Sequence, residues 1–290
     1  MRLALRRGVL FAIAGALTAC SAPGVSLPFS EPAAAVVDGH NISMKAYQAR
    51  LEVSRHRDPF TGIPEAIPSP APAQRLQAFT IEQLVREEIV RQEAEKRSIG
   101  VSDSAMDSRI AKLKAASGAT AFNAALQRNG FTNDSFRSYQ RALLTEVALL
   151  HAMAKDRVDS AAHELNAGQA FAAVAARWSD DAGTYTRGGD AGWLRPAEIP
   201  EAPLATAVQS LATGSVTGVI PTNRGYAIAT VLERRNDQVH LAVLLVLAPS
   251  VDLYGPQGTP TWFTKFVDDR EVVLRRAGRI ELKVGNRASG

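Results

Sequence analysis

A chain of 290 residues, 46% of them hydrophobic types, is long enough for one or two compact domains with a real core. Its single cysteine excludes an internal disulfide and any cysteine-based zinc site, and leaves one thiol to be explained. The formal charge of +4 points toward nucleic acid only until its location is noted. Arg2, Arg6 and Arg7 stand at the start of the chain with no acid among them, and without them the charge falls from +4 to +1. No later basic tract carries interleaved aromatics, so nucleic acid is not an expected partner.

Those arginines open a recognisable pattern. Gly8 to Leu17 follows as an uncharged apolar run, the length of a signal-peptide core and too short to span a bilayer. It ends in Leu17-Thr18-Ala19-Cys20, which resembles the lipobox of bacterial lipoproteins. The resemblance implies a signal peptide over 1–19, cleavage before Cys20, and membrane attachment through lipid on that thiol. The alternative is an ordinary secretory signal with an incidental cysteine. The only cysteine of the chain stands at the required place, which favours lipidation. Two or three acyl chains make anchoring stable where one is marginal. Ser21 after the cysteine implies the outer membrane, facing the periplasm, in a Gram-negative cell, and otherwise the outer face of the cell membrane. Residues 20–34 then read as the lipidated cysteine and a flexible tether rich in Ser, Pro and Gly.

Further along, Ala35-Val-Val-Asp-Gly39 predicts a short strand closed by an Asp-Gly turn, and Ser43 the N-cap of a helix reaching about Arg57. Prolines at 59, 64, 68, 70 and 72 exclude regular structure from Asp58 to Pro72. Leu76, Phe79, Leu84, Val85 and Ile89 share the face of a helix that runs to about Lys96 and stops before Gly100. Ser102 or Asp103 starts the next, with Met106, Ile110 and Leu113 inward. A short helix around Phe122 to Gln127 ends at Gly130. Thr132 caps a long one that carries Phe136, Tyr139, Leu143, Val147 and Leu150. Near the end, Trp262 to Ala277 reads as a helix, and Arg279 to Val284 as an alternating strand able to pair with Ala35 to Asp38.

Five pieces in this order carry a resemblance: Val36-Val37-Asp38-Gly39-His40-Asn41-Ile42-Ser43, Leu84 through Ala94, Gly100-Val101-Ser102-Asp103, Gly130-Phe131-Thr132, and the long helix into which they lead. Together they resemble the N-terminal chaperone domain of SurA-like and PrsA-like extracytoplasmic folding factors. In that family the far end of the chain completes the domain, so it would span 35–155 and be closed by 260–285.

A second resemblance lies between those halves. Ala167-Gly168-Gln169-Ala170-Phe171 leads through Trp178-Ser179-Asp180-Asp181 to Gly188-Gly189-Asp190-Ala191-Gly192-Trp193. Leu211-Ala212-Thr213-Gly214-Ser215-Val216 and Arg224-Gly225-Tyr226-Ala227-Ile228 follow. This set resembles the parvulin peptidyl-prolyl isomerase fold, inserted over 156–250. The implied fold class is α+β, a mostly helical split chaperone domain with an inserted parvulin-like α/β domain. Val216 to Pro221 and Tyr226 to Leu232 read as strands joined by Thr222-Asn-Arg-Gly225.

Isomerisation at proline crosses a barrier of about 20 kcal/mol, and the enzyme's task is to stabilise the twisted amide. Parvulins do this over an apolar floor bordered by an acid or cysteine and two histidines. The resemblance places Asp181 at the acid position, against the plainer reading of a loop cap. Where the family's last strand has Tyr-His, this chain has Tyr226-Ala227. The substrate floor falls on Leu204 and Gln209, with Trp193 and Tyr226 beside it. The first strand, His-Ile-Leu-Val-like in the family, is missing from its place. His151 is a candidate for its histidine, with a helix flank as the plainer reading. The apolar run Val239 to Ala248 is a candidate for the strand itself, permuted, with Leu244 at the histidine position.

His40, His56 and His163 lack metal-ligand spacing, and no cofactor or metal is implied. Glu87-Glu88 and Asp268-Asp269 read as solvated helix faces. Three functions remain open: a chaperone for unfolded exported polypeptides whose isomerase residues have degenerated, an active peptidyl-prolyl isomerase, and an envelope lipoprotein with one fixed partner. Fold alone does not choose among them.

Overall fold

The computed structural model describes residues 31–56, 73–254 and 258–284. Strands β1 (Ala33–Val37) and β2 (His40–Ser43) form a hairpin. Its two turn residues, Asp38 (φ 51°) and Gly39 (φ 83°), are both left-handed, the geometry that suits the twist of a two-residue hairpin. Ser43 then accepts from Ala46 N and caps α1 (Met44–Ser54). α2 (Ala73–Lys96) follows the segment that lies outside the described residues, where the proline-rich loop is expected. Ser102 caps α3 (Asp103–Ser117), α4 is Ala119–Arg128, and a reciprocal Thr132–Ser135 cap starts α5 (Asn133–Asn166). No Gly or Pro interrupts α5, so it continues through the expected 155/156 junction to the positive-φ Gly168.

At the far end, α8 (Thr261–Arg276) leads to β7 (Ile280–Leu282), which pairs antiparallel with β1. Val37 faces Ile280 and Ala35 faces Leu282, giving the sheet order β2-β1-β7. Both ends of the described chain thus build one small sheet. β2 is absent from the sequence expectation because His-Asn-Ile-Ser has little strand character outside its hairpin.

The second sheet has the order β3-β6-β5-β4, all antiparallel, from β3 (Asp190–Leu194), β4 (Ile220–Thr222), β5 (Gly225–Arg235) and β6 (Gln238–Leu247). The apolar run therefore stands inside the sheet, between β3 and β5. Ile228, Leu244 and Val246 point to the side covered by α5 and α6 (Phe171–Trp178). Ala229, Val231 and Leu241 point to the other side, under α7 (Ala202–Gln209). The expected strand from Val216 to Pro221 is interrupted: Val216 makes a single bridge with Thr230, and regular pairing resumes only at Ile220 in β4. Thr217 is the reason: its hydroxyl accepts the Ala229 N–H that a neighbouring strand carbonyl would take.

Gly188 and Gly189 have a steric role. A Cβ on Gly189 would lie 2.6 Å from the Val243 carbonyl oxygen, and one on Gly188 would lie 2.5 Å from the Ala172 Cβ. The paired glycines let the turn press between α6 and β6.

One apolar core joins the two halves. It runs from Val37 and Ile89 through Leu150 and Val158 to Val174, Leu244, Val246, Phe263 and Leu274. Leu244 is fully buried within it. Leu244→Ala is expected to lower stability by about 2–5 kcal/mol in urea unfolding, and a loss below about 1 kcal/mol would contradict this central placement.

Candidate functional site

The face of the second sheet under α7 is where the parvulin resemblance places its proline pocket. It is filled by Ile199, Leu204, Val208, Ala229, Val231, Val239 and Leu241, all buried. Leu204 is on this face. Gln209 is not: it is exposed at the end of α7, and Val208 takes the inward place. Residues four apart share a helix face, whereas a fifth residue turns about 140° away. Ala227 pairs with Leu245, so the residue opposite the lost-histidine position is Leu245 rather than Leu244, which pairs with Ile228.

The other site candidates are not gathered on this face. Tyr226 packs with the core on the opposite side, where its ring meets His151 edge-on at 6.4 Å. His151 Nε2 sits 3.2 Å from the Pro249 carbonyl oxygen, so this α5 side chain braces the chain leaving β6. Trp193 stacks on its cross-strand partner His240 at 5.2 Å and carries Arg235 over its ring at 4.8 Å. Asp190 accepts from Gly192 N and lies 2.8 Å from His240 Nε2; the Gly192 amide, then His240, holds its pKa below the usual carboxylate value. Asp181 accepts from the Thr184 hydroxyl at 2.6 Å, and its carbonyl from Thr184 N and Tyr185 N. It caps a turn.

Its neighbour Asp180 has a different setting, which the sequence did not single out. Oδ2 accepts from Leu247 N at the end of β6 and from Trp262 Nε1 of α8, both at 2.9 Å. Oδ1 lies 3.7 Å from Arg157 of α5. The Arg157 guanidinium sits 4.8 Å from the Trp262 ring centre and 5.4 Å from that of Trp178. Burial pushes the Asp180 pKa up, against the pull of those donors, and burial lowers that of Arg157.

A groove lies elsewhere, between α1 and α5 over α2. It consists of two adjoining cavities of about 390 and 500 Å3 that share Ser43, Ala46, Leu84, Glu87 and Ser138. It is open because small residues face each other across it: Ala46 and Ala49 on α1, Ser135, Ser138 and Ala142 on α5. Phe131, Tyr139 and Val53 close one end. Glu87 is not a free solvated residue; Arg50 grips it through two hydrogen bonds, at 2.5 and 2.9 Å, on the groove floor. Arg50 also lies 4.6 Å from the Tyr139 ring centre.

A helical frame whose small sheet pairs β1 with β7, with a second antiparallel sheet set between them in the chain, is the architecture with which the comparisons agree. Residues 5–150 match the model of the SurA-like N-terminal domain, half of the chain, and the chain belongs to that family. Residues 145–233 match the PPIC-type PPIase domain, a match that opens inside α5 and closes before β6 begins. The Chaperone SurA of Nitrosospira multiformis is 37% identical over 101 residues, covering 32% of this chain and 22% of that protein. That of Aromatoleum aromaticum is 28% identical over 281 residues, covering 78% and 62%. A solved structure of SurA-like chaperones from Campylobacter jejuni covers 86% of this chain and 98% of its own at 15% identity, with a TM-score of 0.33. The chain spans between about a fifth and six-tenths of the length of the curated relatives it matches.

Asp180→Ala leaves Leu247 N and Trp262 Nε1 without their acceptor and Arg157 without its counter-charge, and is expected to cost about 3–5 kcal/mol. Asp181→Ala removes one cap, at about 1 kcal/mol. The raised Asp180 pKa also has a sign. The folded state binds that proton more tightly, so this contribution to stability is full in acid and lost as pH rises through the folded pKa, above the usual carboxylate range. Asp180→Asn should therefore flatten stability against pH across that window; an unchanged profile would contradict the assignment.

Proposed function

We propose that the protein is a membrane-anchored extracytoplasmic chaperone that holds exported, partly unfolded polypeptides in the groove between α1 and α5, with an isomerase module that has lost most or all of its catalysis. The groove carries this reading. Its small-residue walls and apolar end take side chains of varied sequence, which adaptable chain binding requires. The names of the relatives, chaperone and foldase, agree with it. Loss of catalysis is supported by the aliphatic packing under α7 and by Ala227 and Leu245 facing each other where polar groups are expected. Asp181 then retains only its capping role. β6, lying between β3 and β5 and outside the matched range, stands in for the missing first strand. The domain division at 35–155 with 260–285, and 156–250, follows the same reading.

The groove predicts that Ser138→Trp abolishes suppression of aggregation of an unfolded client while leaving the far-ultraviolet spectrum unchanged. Full suppression by that variant would place client binding elsewhere. Wild-type protein should barely speed isomerisation of a proline peptide. A rate enhancement comparable to an ordinary parvulin would overturn the degenerate reading, and activity that persists in Asp181→Ala would remove Asp181 from the site.

Attachment rests on Leu17-Thr18-Ala19-Cys20, which lies outside the described residues. Acylation there and the following tether would keep the groove close to the membrane where exported chains emerge. Cys20→Ala should move the protein from the membrane fraction to the soluble one, and an unchanged membrane fraction would refute the anchor.

A further inference from the structure

A third cavity, of about 280 Å3, lies among α2, α5 and α8, apart from the groove's main walls. Its apolar wall is Val90, Phe263 and Val267, and its polar end holds Glu146 and Thr259. The two other charged residues lining it have ion-pair partners of their own. Arg86 is 2.5 Å from Asp268 and 3.5 Å from Glu271, and Glu87 is held by Arg50. Glu146 has no ion pair among the described residues. One of its oxygens accepts from the Tyr254 hydroxyl at 2.5 Å, and that hydroxyl is also within 2.7 Å of Thr259 Oγ1.

We propose that this cavity is a receptor for a primary ammonium group on a slender aliphatic stem, the chemistry shared by a lysine side chain and a free alkylamine. The wall of Val90, Phe263 and Val267 receives the methylenes, and the second Glu146 oxygen receives the charge. A guanidinium fits worse, because its fork needs both oxygens of a carboxylate and Tyr254 occupies one. The volume is at the small end for ligand pockets and suits a four-carbon stem. Burial, the largest cause, raises the Glu146 pKa against the Tyr254 hydrogen bond, and the Glu87 charge raises it further while the Arg86 charge lowers it. The groups around it are Arg86 and Glu87 from α2, Tyr254 from the segment after β6, and Asp268 and Glu271 of α8 behind Arg86. An ammonium ligand favours the ionised carboxylate, so its affinity rises with pH through the Glu146 titration. This site does not depend on the chaperone reading.

The test is a nuclear magnetic resonance titration of the full chain with n-butylammonium, following the methyl signals of Val90 and Val267, beside neutral n-butanol. Wild-type protein should bind the ammonium and favour it over the alcohol. Glu146→Gln, which keeps an acceptor for Tyr254, should weaken ammonium binding by about 10-fold or more and leave the alcohol unaffected. Val267→Phe, which fills the cavity and spares Glu146, should remove both. No ammonium binding to wild type up to tens of millimolar, or equal binding to Glu146→Gln, overturns the proposal. An unstructured peptide with one lysine, compared with its acetylated form, separates the sources. Competition by the lysine form alone supports a polypeptide ligand, and failure of both to compete beside a bound alkylamine supports a free amine.

Discussion

One half-buried carboxylate holds the inserted module against the helical frame. Asp180 follows the Ser179 cap of α6, takes the last amide of the central strand through Leu247, binds the indole of Trp262 on the terminal helix, and faces Arg157 on the long helix. Arg157 is in turn laid between Trp178 and Trp262. A charge desolvated to this degree is tolerated only when its donors converge, so these elements are fixed relative to one another. The chain runs directly from β6 toward α8, and both ends of that connection meet at Asp180. Further contacts brace the same route: Arg109 to Asp252, Tyr254 to Glu146, and His151 to the Pro249 carbonyl.

That constraint shapes both candidate sites. With β6 set inside the sheet and tied to the frame, the core is continuous from the terminal sheet to the inserted one. The face under α7 is packed with aliphatic side chains. Stabilising a twisted amide needs directed polar groups over an apolar floor, and the proposed loss of catalysis rests on the aliphatic character of this face. The groove between α1 and α5 has the opposite character. It is open, walled by small residues, and has charged partners along its floor.

Much of this was legible from local chemistry. Ser43, Ser102 and Thr132 cap the helices they were expected to start, and the terminal strand pairs with β1. These features depend on a few neighbouring residues, which a sequence states directly. What failed depends on faces and long-range register. Gln209 and Val208 are adjacent, and only the pitch of an eight-residue helix decides which turns inward. Asp180 and Asp181 are adjacent too, yet one spans three elements and the other caps a turn. Leu244 and Leu245 are identical residues on opposite faces, separated only by their pairing with Ile228 and Ala227. Glu146 and Tyr254 are more than a hundred residues apart, and no local pattern announces their bond.

The central claim is that unfolded chains are held in the α1–α5 groove rather than on the sheet face under α7. Site-specific photo-cross-linking to an unfolded client addresses it most directly, with the reactive group placed at Ser138 in one variant and at exposed Gln209 in another. Cross-links from Ser138, and few or none from Gln209, are the predicted result. Efficient cross-linking from Gln209 with none from Ser138 would contradict it and return client binding to the isomerase module.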